Sequence, residues 1–318
     1  MDSQPPSLAD IRAAAERIRD AVRRTPTLVP APLREPLPGR VALKLECLQV
    51  GGSFKARGAM NTVLSLPGEA LERGLVTASG GNHGIAVAYA GWRAGVPTTV
   101  FLPAAAPPRK ARAIAGWGAE VVVAGEVWDD AARAALDHAE RTGARFVHPF
   151  ADPVVIAGQG TLGLEVLADL PVVDTIVVAI GGGGLASGIA LAVHALRPAV
   201  RLVGVEPEGA PTLHASLAAG RVVELAEIRT VANTLAPRRS AEINFEILRQ
   251  GVREIVLVDD DEMREAARWL WRETFVAAEL SGAAAVAALL SGKLAVRPDE
   301  RVCAIVCGAG TDGIEPVS

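Results

Sequence analysis

Cysteine is scarce in this chain of 318 residues, which has only Cys47, Cys303 and Cys307. Three cysteines are too few for a disulfide framework, so the sequence predicts a reduced, cytoplasmic protein. Neither Cys nor His is clustered near them at ligand spacing, which disfavours a structural zinc site. Cys303 and Cys307 lie in the segment RVCAIVCGAG, which predicts a strand with both side chains on the same face.

Long apolar runs and dense basic runs are also missing. The N-terminal segment is polar and amphipathic and lacks the apolar core of a signal peptide, and no stretch is long and apolar enough to span a bilayer. The net charge of −4 comes from 32 basic and 36 acidic residues and indicates no nucleic-acid surface. Half of the residues are hydrophobic, which is ample for one large domain or two smaller ones.

What the chain does have is an alternation of apolar, β-branched runs with alanine-rich stretches. The runs predict buried strands at 75–77, 98–102, 120–123, 175–179, 201–205 and 302–306. The alanine-rich stretches predict helices at 84–93, 109–116, 129–141 and 185–196. This order predicts an α/β protein with parallel sheets, whose ligands bind at the carboxyl ends of the strands.

The segment GGSFKARGA places Lys55 after a glycine-rich turn and next to Phe54. A lysine in a partly desolvated pocket has a lowered pKa and becomes an amine nucleophile, as a Schiff-base lysine must be. The alternative is a helix that Ser53 opens, with ordinary surface Lys and Arg residues.

Two further strand ends carry small polar or glycine-rich loops. In SGGNHG the backbone N–H groups at a helix N-terminus could hold a carboxylate, and Asn82 could bond a phenolic oxygen of a cofactor; a plain helix cap is the alternative. In IGGGGL four consecutive glycines let several N–H groups converge on one phosphate, and neither a Walker loop nor a good dinucleotide fingerprint fits. A fourth loop, VCGAGTD, places Cys307 at a strand's carboxyl end.

Together and in this order, these segments resemble the fold-type II pyridoxal 5'-phosphate (PLP) enzymes, specifically the serine/threonine dehydratase and serine racemase family. The stretch from Glu46 through GGSFKARGA fits that family's lysine-attachment signature, and FVHPFADPVVIAGQGTLGLEVL and GVEPEGAPTL are also similar. The resemblance implies two parallel-type α/β domains of the tryptophan synthase β-subunit-like architecture. It places residues 1–50 and 149–318 in a large PLP-binding domain and 51–148 in a small one, without a C-terminal regulatory domain.

The resemblance also implies roles for individual residues. Lys55 would carry the cofactor as a Schiff base and remove the substrate's α-proton, and Ser79 would also be catalytic. Further cofactor contacts would come from Phe54, Asn82, Gly181, Gly182, Gly183, Gly184, Leu185 and Cys307. The substrate carboxylate would be held by Ser79, Gly81, Asn82 and His83. Two positions, Glu206 and Ala210, match the family's metal site, and Glu279 lies in a stretch near the active site.

Departures from the family pattern refine the expected reaction. Gly80 stands where racemases carry a second acid/base serine, so we expect a lyase that converts L-threonine or L-serine to 2-oxobutanoate or pyruvate and ammonia. Thr212 stands where members that bind a divalent cation have a carboxylate, which disfavours a strong divalent site and leaves a monovalent ion, a water or an empty site. Arg238 and Arg239 are either solvated or select an acidic substrate such as 3-hydroxyaspartate.

Other readings of the same motifs stay open at this point. The main alternatives are a serine racemase and a dehydratase of another β-hydroxy amino acid. The loop Ser79–His83 disfavours a β-replacement enzyme, and Lys55, Asn82 and the four glycines disfavour a silent binding protein on the same scaffold. The resemblance further implies a homodimer.

Overall fold

The computed structural model describes residues 4–314. Its strands, numbered in chain order, are β1 Thr27–Leu28, β2 Arg40–Lys44, β3 Leu75–Ala78, β4 Thr98–Leu102, β5 Glu120–Val123, β6 Arg145–Phe146, β7 Thr175–Ala179, β8 Arg201–Pro207, β9 Glu254–Val258 and β10 Arg301–Ile305. Its α-helices are α1 Leu8–Ile18, α2 Lys55–Ser65, α3 Gly68–Glu72, α4 Asn82–Ala94, α5 Pro108–Gly116, α6 Trp128–Thr142, α7 Pro153–Asp169, α8 Gly184–Leu196, α9 Thr212–Ala219, α10 Glu242–Gly251, α11 Asp260–Thr274 and α12 Leu280–Leu290.

The strands form two sheets, as the alternation of strands and helices predicts. The larger has the order β1-β2-β10-β7-β8-β9 and the smaller the order β5-β4-β3-β6. All neighbouring strands are parallel except β1 and β2. The predicted α/β class with parallel sheets is therefore confirmed. The smaller sheet lies wholly within residues 51–148, although the domain bounds themselves stay a prediction.

The largest apolar cluster packs the larger sheet against α7, α8, α11 and α12. Such a sheet is covered on its faces by helices because its strands are buried and apolar. Among residues 4–314, no helix is both long and apolar enough to cross a membrane.

Close helix packing sets the position of α2, the helix that Lys55 begins. Gly158 of α7 faces α2, and a Cβ atom added there would lie 2.7 Å from the carbonyl oxygen of Arg57 and from the Cα of Gly58. Helix α7 itself starts after Asp152, whose carboxylate accepts from the Val154 N–H at 2.8 Å. Because Gly158 has no side chain, the backbones of α7 and α2 can touch at this point. This contact holds the first turn of α2 against α7.

One strand prediction was wrong in detail. Strand β10 ends at Ile305, so Cys307 lies two residues beyond it instead of sharing a strand with Cys303. The backbone turns away there, because Ser53 pairs with Gly308 and Ala278 with Ala309 in isolated bridges. The cysteine therefore lies in the loop that leaves the strand.

Candidate active site

Lys55 is the first residue of α2 and is partly buried. The turn before it needs glycine, because Gly51 and Gly52 adopt φ values of +73° and +80°. The amino group lies 5.1 Å from the centroid of the Phe54 ring and donates a hydrogen bond of 2.6 Å to the Pro149 carbonyl oxygen. Loss of solvent around the charge lowers the pKa of Lys55 to about 8, which makes it a usable nucleophile near neutral pH.

The partner of Lys55 belongs to a turn over residues 148–152, which we call the His148 turn. The Nδ1 atom of His148 accepts the backbone N–H groups of Phe150 at 3.2 Å and Ala151 at 2.9 Å. Burial, and then the positive charge of Lys55, lower the pKa of His148 to about 4, so this acceptor is free of a proton at neutral pH. The family resemblance includes this segment but implies no role for His148 or Pro149.

The segment Ser79–His83 connects β3 to α4 at the carboxyl end of β3. The N–H groups of Gly80, Asn82 and His83 find no acceptor within the described residues, whereas the Gly81 N–H donates to Ser79 Oγ at 3.2 Å. Unpaired N–H groups at a helix N-terminus favour an anion. The loop therefore has the chemistry expected of a carboxylate site, with Gly80 in place of Gly81 among the free donors.

His83 is buried on this loop as a neutral imidazole. Its Nε2 lies 2.9 Å from the carbonyl oxygen of Val147, so Nε2 carries the proton and Nδ1 is left as an acceptor. In the part of the chain that the structure describes, this Nδ1 has no hydrogen-bond partner. Burial, followed by the charge of Lys55, lowers the pKa of His83 to about 3.

Asn82 is held by a polar cluster that joins distant parts of the chain. Its Nδ2 donates to Glu279 at 2.6 Å, and Thr234 Oγ1 donates to the same carboxylate at 3.2 Å. The Lys110 amino group lies 3.3 Å from Asn82 Oδ1 and 3.4 Å from Glu279 Oε2. Burial raises the pKa of Glu279, and the charge of Lys110 opposes this. Sequence reasoning missed Lys110, although its place just after β4 puts it at a carboxyl end of the smaller sheet.

The glycine-rich loop between β7 and α8 also presents free donors. None of the N–H groups from Gly181 to Leu185 has an acceptor among residues 4–314. Gly183 has φ +96°, and a Cβ atom added at Gly182 would overlap the Phe150 ring. Several convergent N–H groups in a curled backbone fit a phosphate, so the predicted residues suit the cofactor's phosphate group.

Cys307 lies beside Lys55 in the fold. The Phe54 N–H donates to the Cys307 carbonyl oxygen at 3.3 Å, and the thiol donates to the Ser281 carbonyl oxygen at 3.4 Å. Burial raises the pKa of the Cys307 thiol, with Glu279 adding to the effect. The side chain is therefore a neutral thiol.

Glu206 and Ala210 are buried. Among the described residues, no hydrogen bond joins either of them to the loop Ser79–His83 or to the loop Gly181–Leu185. Both carboxylate oxygens of Glu206 accept backbone N–H groups at 2.8 Å, from Leu213 and His214 at the start of α9. Burial raises the pKa of Glu206 to about 8. In the described residues no group of three or more His, Cys, Asp or Glu side chains could hold a metal ion.

Arg238 and Arg239 lie at the surface. Arg238 donates to the carbonyl oxygens of Leu225 at 3.1 Å and Ala226 at 3.2 Å, and Arg239 reaches Glu242 at 3.4 Å. These contacts favour the solvated alternative over selection of an acidic substrate.

Comparison with known proteins gives a consistent result. A family model described as "Pyridoxal-phosphate dependent enzyme" matches residues 18–308. An L-threonine ammonia-lyase of Geobacter sulfurreducens is 44% identical over 298 residues, which are 94% of this chain and 74% of the relative. A solved threonine deaminase from T.th. superposes with a TM-score of 0.90 at 38% identity, covering 98% of this chain and all of that one. Maize serine racemase superposes with a TM-score of 0.92 at 33% identity, covering 96% of this chain and 93% of that one.

Proposed function

The chain belongs to the pyridoxal-phosphate dependent enzyme family, and we propose that within it the protein is an ammonia-lyase acting on L-threonine or L-serine. The products would be 2-oxobutanoate or pyruvate, together with ammonia. The observation that carries this proposal is the desolvated amine of Lys55, with a pKa near 8, in a site that also contains two loops of unpaired N–H groups. Similarity to named threonine ammonia-lyases over nearly the whole chain supports the choice of reaction.

The proposed cofactor contacts follow from the chemistry of each group. When bound, PLP supplies an electron-withdrawing ring that acidifies the α-hydrogen of an amino acid attached to it. The N–H groups from Gly181 to Leu185 would hold its phosphate, and the Asn82 amide would bond its phenolic oxygen. Cys307 would present a neutral thiol to the ring nitrogen, and a thiol that stays protonated would not place a negative charge there.

Lys55 would act as the general base in the proposed reaction. Its amine, once free of the extra proton, takes the α-proton from the substrate, and its lowered pKa keeps this form accessible near neutral pH. The N–H groups of Gly80, Asn82 and His83, with the Ser79 hydroxyl, would hold the substrate carboxylate in a fixed orientation. With its carboxylate held by this loop and its amino group held at the cofactor, the substrate would have one fixed orientation when its hydroxyl group leaves.

The same loop favours elimination over inversion. An acid on the second face of the substrate is needed to return a proton with opposite stereochemistry, and Gly80 supplies none. A side chain could not be added there freely, since a Cβ atom at Gly80 would lie 2.6 Å from the Cβ of Ala106. We therefore propose a lyase and keep serine racemase as the second candidate.

Two measurements test the proposal. Protein loaded with PLP should show the absorbance band of a lysine-bound cofactor, and a coupled assay should detect oxo acid and ammonia from threonine or serine far faster than D-isomer. Lys55→Ala should lose both, whereas Lys293→Ala, which removes an exposed lysine on the surface, should keep both. A dominant D-amino acid product would overturn the lyase assignment, and the absence of any band in wild-type protein would overturn the PLP site.

We also propose that the protein is a homodimer, and light scattering on the purified protein tests this oligomeric state. A cytoplasmic location is proposed as well. A cation at Glu206 and Ala210 stays a prediction. Equilibrium dialysis against Mg²⁺ and K⁺ would detect it.

A further inference from the structure

Asn244 is a fully buried amide with both ends of its side chain occupied. It lies in the first turn of α10, and no role was predicted for it from the sequence. Its Nδ2 donates to the carbonyl oxygens of Gly182 at 2.8 Å and Phe150 at 3.1 Å. Its Oδ1 accepts from the Ser187 hydroxyl at 2.9 Å, which fixes which end of the amide faces the glycine loop.

Packing holds the glycine loop against this amide. A Cβ atom added at Gly183 would lie 3.0 Å from the Cβ of Asn244, so α10 approaches the loop as closely as a glycine allows. On another side, the Phe150 ring occupies the space that a side chain at Gly182 would need. The loop therefore lies between Asn244 and Phe150, and Asn244 binds the backbone of both.

The direction of one carbonyl group decides the direction of the next N–H group. In a trans peptide the C=O of one residue and the N–H of the following residue point in opposite directions. The Gly182 carbonyl is held by Asn244 and also by Ser240 Oγ at 3.0 Å. The Gly183 N–H is therefore turned away from α10, and it is one of the five unpaired donors of this loop.

We propose that Asn244 is a positioning residue for the cofactor's phosphate. By holding the Gly182 carbonyl on the α10 side, it keeps the Gly183 N–H turned to the opposite side, free for the phosphate. The same amide holds the Phe150 carbonyl in the His148 turn, whose Pro149 carbonyl accepts from Lys55. The bond to Lys55 itself is made by the Pro149 carbonyl, which receives no hydrogen bond from Asn244, so the role of Asn244 is confined to the phosphate loop.

This inference rests on the proposed PLP site, and its test measures binding without turnover. Asn244→Asp keeps the shape of the side chain but replaces both donated hydrogen bonds with repulsion between oxygens. We expect this variant to bind PLP about tenfold more weakly or worse. Pyridoxal, which lacks the phosphate, should bind with nearly unchanged affinity. Titration of apo protein by absorbance gives both dissociation constants.

Two further variants separate positioning from general damage. Asn61→Asp alters another buried amide, which donates to the Val154 carbonyl at 2.7 Å and lies outside the glycine loop, so it should leave the ratio of PLP to pyridoxal affinity unchanged. Ser240→Ala removes the second donor to Gly182 and should lower the same ratio by a smaller factor. Should Asn244→Asp fail to fold, Ser240→Ala and Ser187→Ala test the inference in its place. The first removes a hydrogen bond to the Gly182 carbonyl, and the second removes the hydrogen bond that orients the Asn244 amide.

The outcomes distinguish this inference from the proposed function. Equal losses for PLP and pyridoxal in Asn244→Asp, or an unchanged PLP affinity, would overturn the role of Asn244. A wild-type protein that binds both compounds equally would overturn the phosphate loop and this inference with it. Absence of threonine or serine turnover with the expected binding ratios would overturn the proposed reaction alone and support the inference.

Discussion

The amino group of Lys55 donates a hydrogen bond of 2.6 Å to the carbonyl oxygen of Pro149. This carbonyl belongs to the His148 turn, which leads from the smaller sheet into α7. The contact therefore places the amine at the junction of the two sheets. Burial of the amine lowers the pKa of Lys55 to about 8, because loss of hydration disfavours its charged form.

The rate at which the apo protein binds PLP should increase as Lys55 loses its proton. Only the neutral amine attacks an aldehyde, and a pKa lowered from 10.5 makes that form abundant at lower pH than for an ordinary lysine. The rate should rise with pH up to about 8 and then level off. Stopped-flow absorbance with PLP measures this, with N-α-acetyl-lysine as the reference amine. A rate that still rises steeply above pH ~9 would contradict the lowered pKa.

Introducing a serine at Gly80 should not by itself produce a racemase. Its Cβ would lie 2.6 Å from that of Ala106, so Gly80→Ser should distort the carboxylate loop and weaken substrate binding. The double variant Gly80→Ser with Ala106→Gly relieves this overlap. We expect the ratio of D-serine to pyruvate formed from L-serine to rise only in the double variant. Ala106→Gly alone is the control, and an equal rise in Gly80→Ser alone would contradict the steric argument.

Removing Arg57 should cost much of the stability of the protein. Its guanidinium donates to Glu46 at 2.7 and 2.8 Å and to Glu165 at 2.7 and 3.0 Å, and it is almost fully buried. Arg57→Leu leaves the buried carboxylate of Glu46 without its cation and leaves Glu165 with Lys44 alone, at 2.9 Å, which should lower the free energy of unfolding by about 3–5 kcal/mol.

Urea denaturation checks this stability change. Arg249→Leu breaks an exposed pair with Glu246 and should lower the free energy of unfolding by less than ~1 kcal/mol. Similar decreases in the free energy of unfolding of the two variants would show that the buried Arg57 network stabilises the protein no more than an exposed ion pair does.

Thr234 should limit the size of the substrate's side chain. Its Cγ2 lies 3.8 Å from the position of a Cβ atom at Gly81, and its carbonyl oxygen lies 2.9 Å from that of one at Gly181, so it sits between the two candidate binding loops. Thr234→Gly should raise kcat/KM for a bulky β-hydroxy amino acid such as phenylserine, relative to threonine, by about tenfold. Thr234→Ser keeps the hydroxyl that bonds Glu279 and should give a smaller change. An unchanged ratio in Thr234→Gly would remove this residue from the specificity argument.

The elements with strong local signals were predictable from the sequence. Strands β4, β5 and β7 have the predicted bounds, because each is a short apolar, β-branched run with clear breaks on both sides. Helix α4 begins at Asn82, two residues earlier than predicted, because the loop N–H groups already lie on the helical turn. The glycine loop was recognisable because four adjacent glycines have few other structural uses.

Contacts between distant segments were not predictable. Asn244 lies 62 residues from Gly182, and Lys110 lies 169 residues from Glu279. Such partners carry no local motif, because only the packing of separate helices brings them together. The end of the last strand was predicted one residue too late for a related reason: an alternating apolar pattern does not reveal where the backbone leaves the strand.

Burial of the three cysteines has a practical consequence for labelling. The pKa values of Cys47 and Cys303 are raised to about 12, and that of Cys307 is also raised, in each case chiefly by burial. Thiol reagents attack the thiolate, which is very rare at neutral pH for such groups. A maleimide dye added to the folded protein should therefore react with a cysteine introduced at the surface and spare the native three. Fluorescent reporters can be attached to this chain without first preparing a cysteine-free variant.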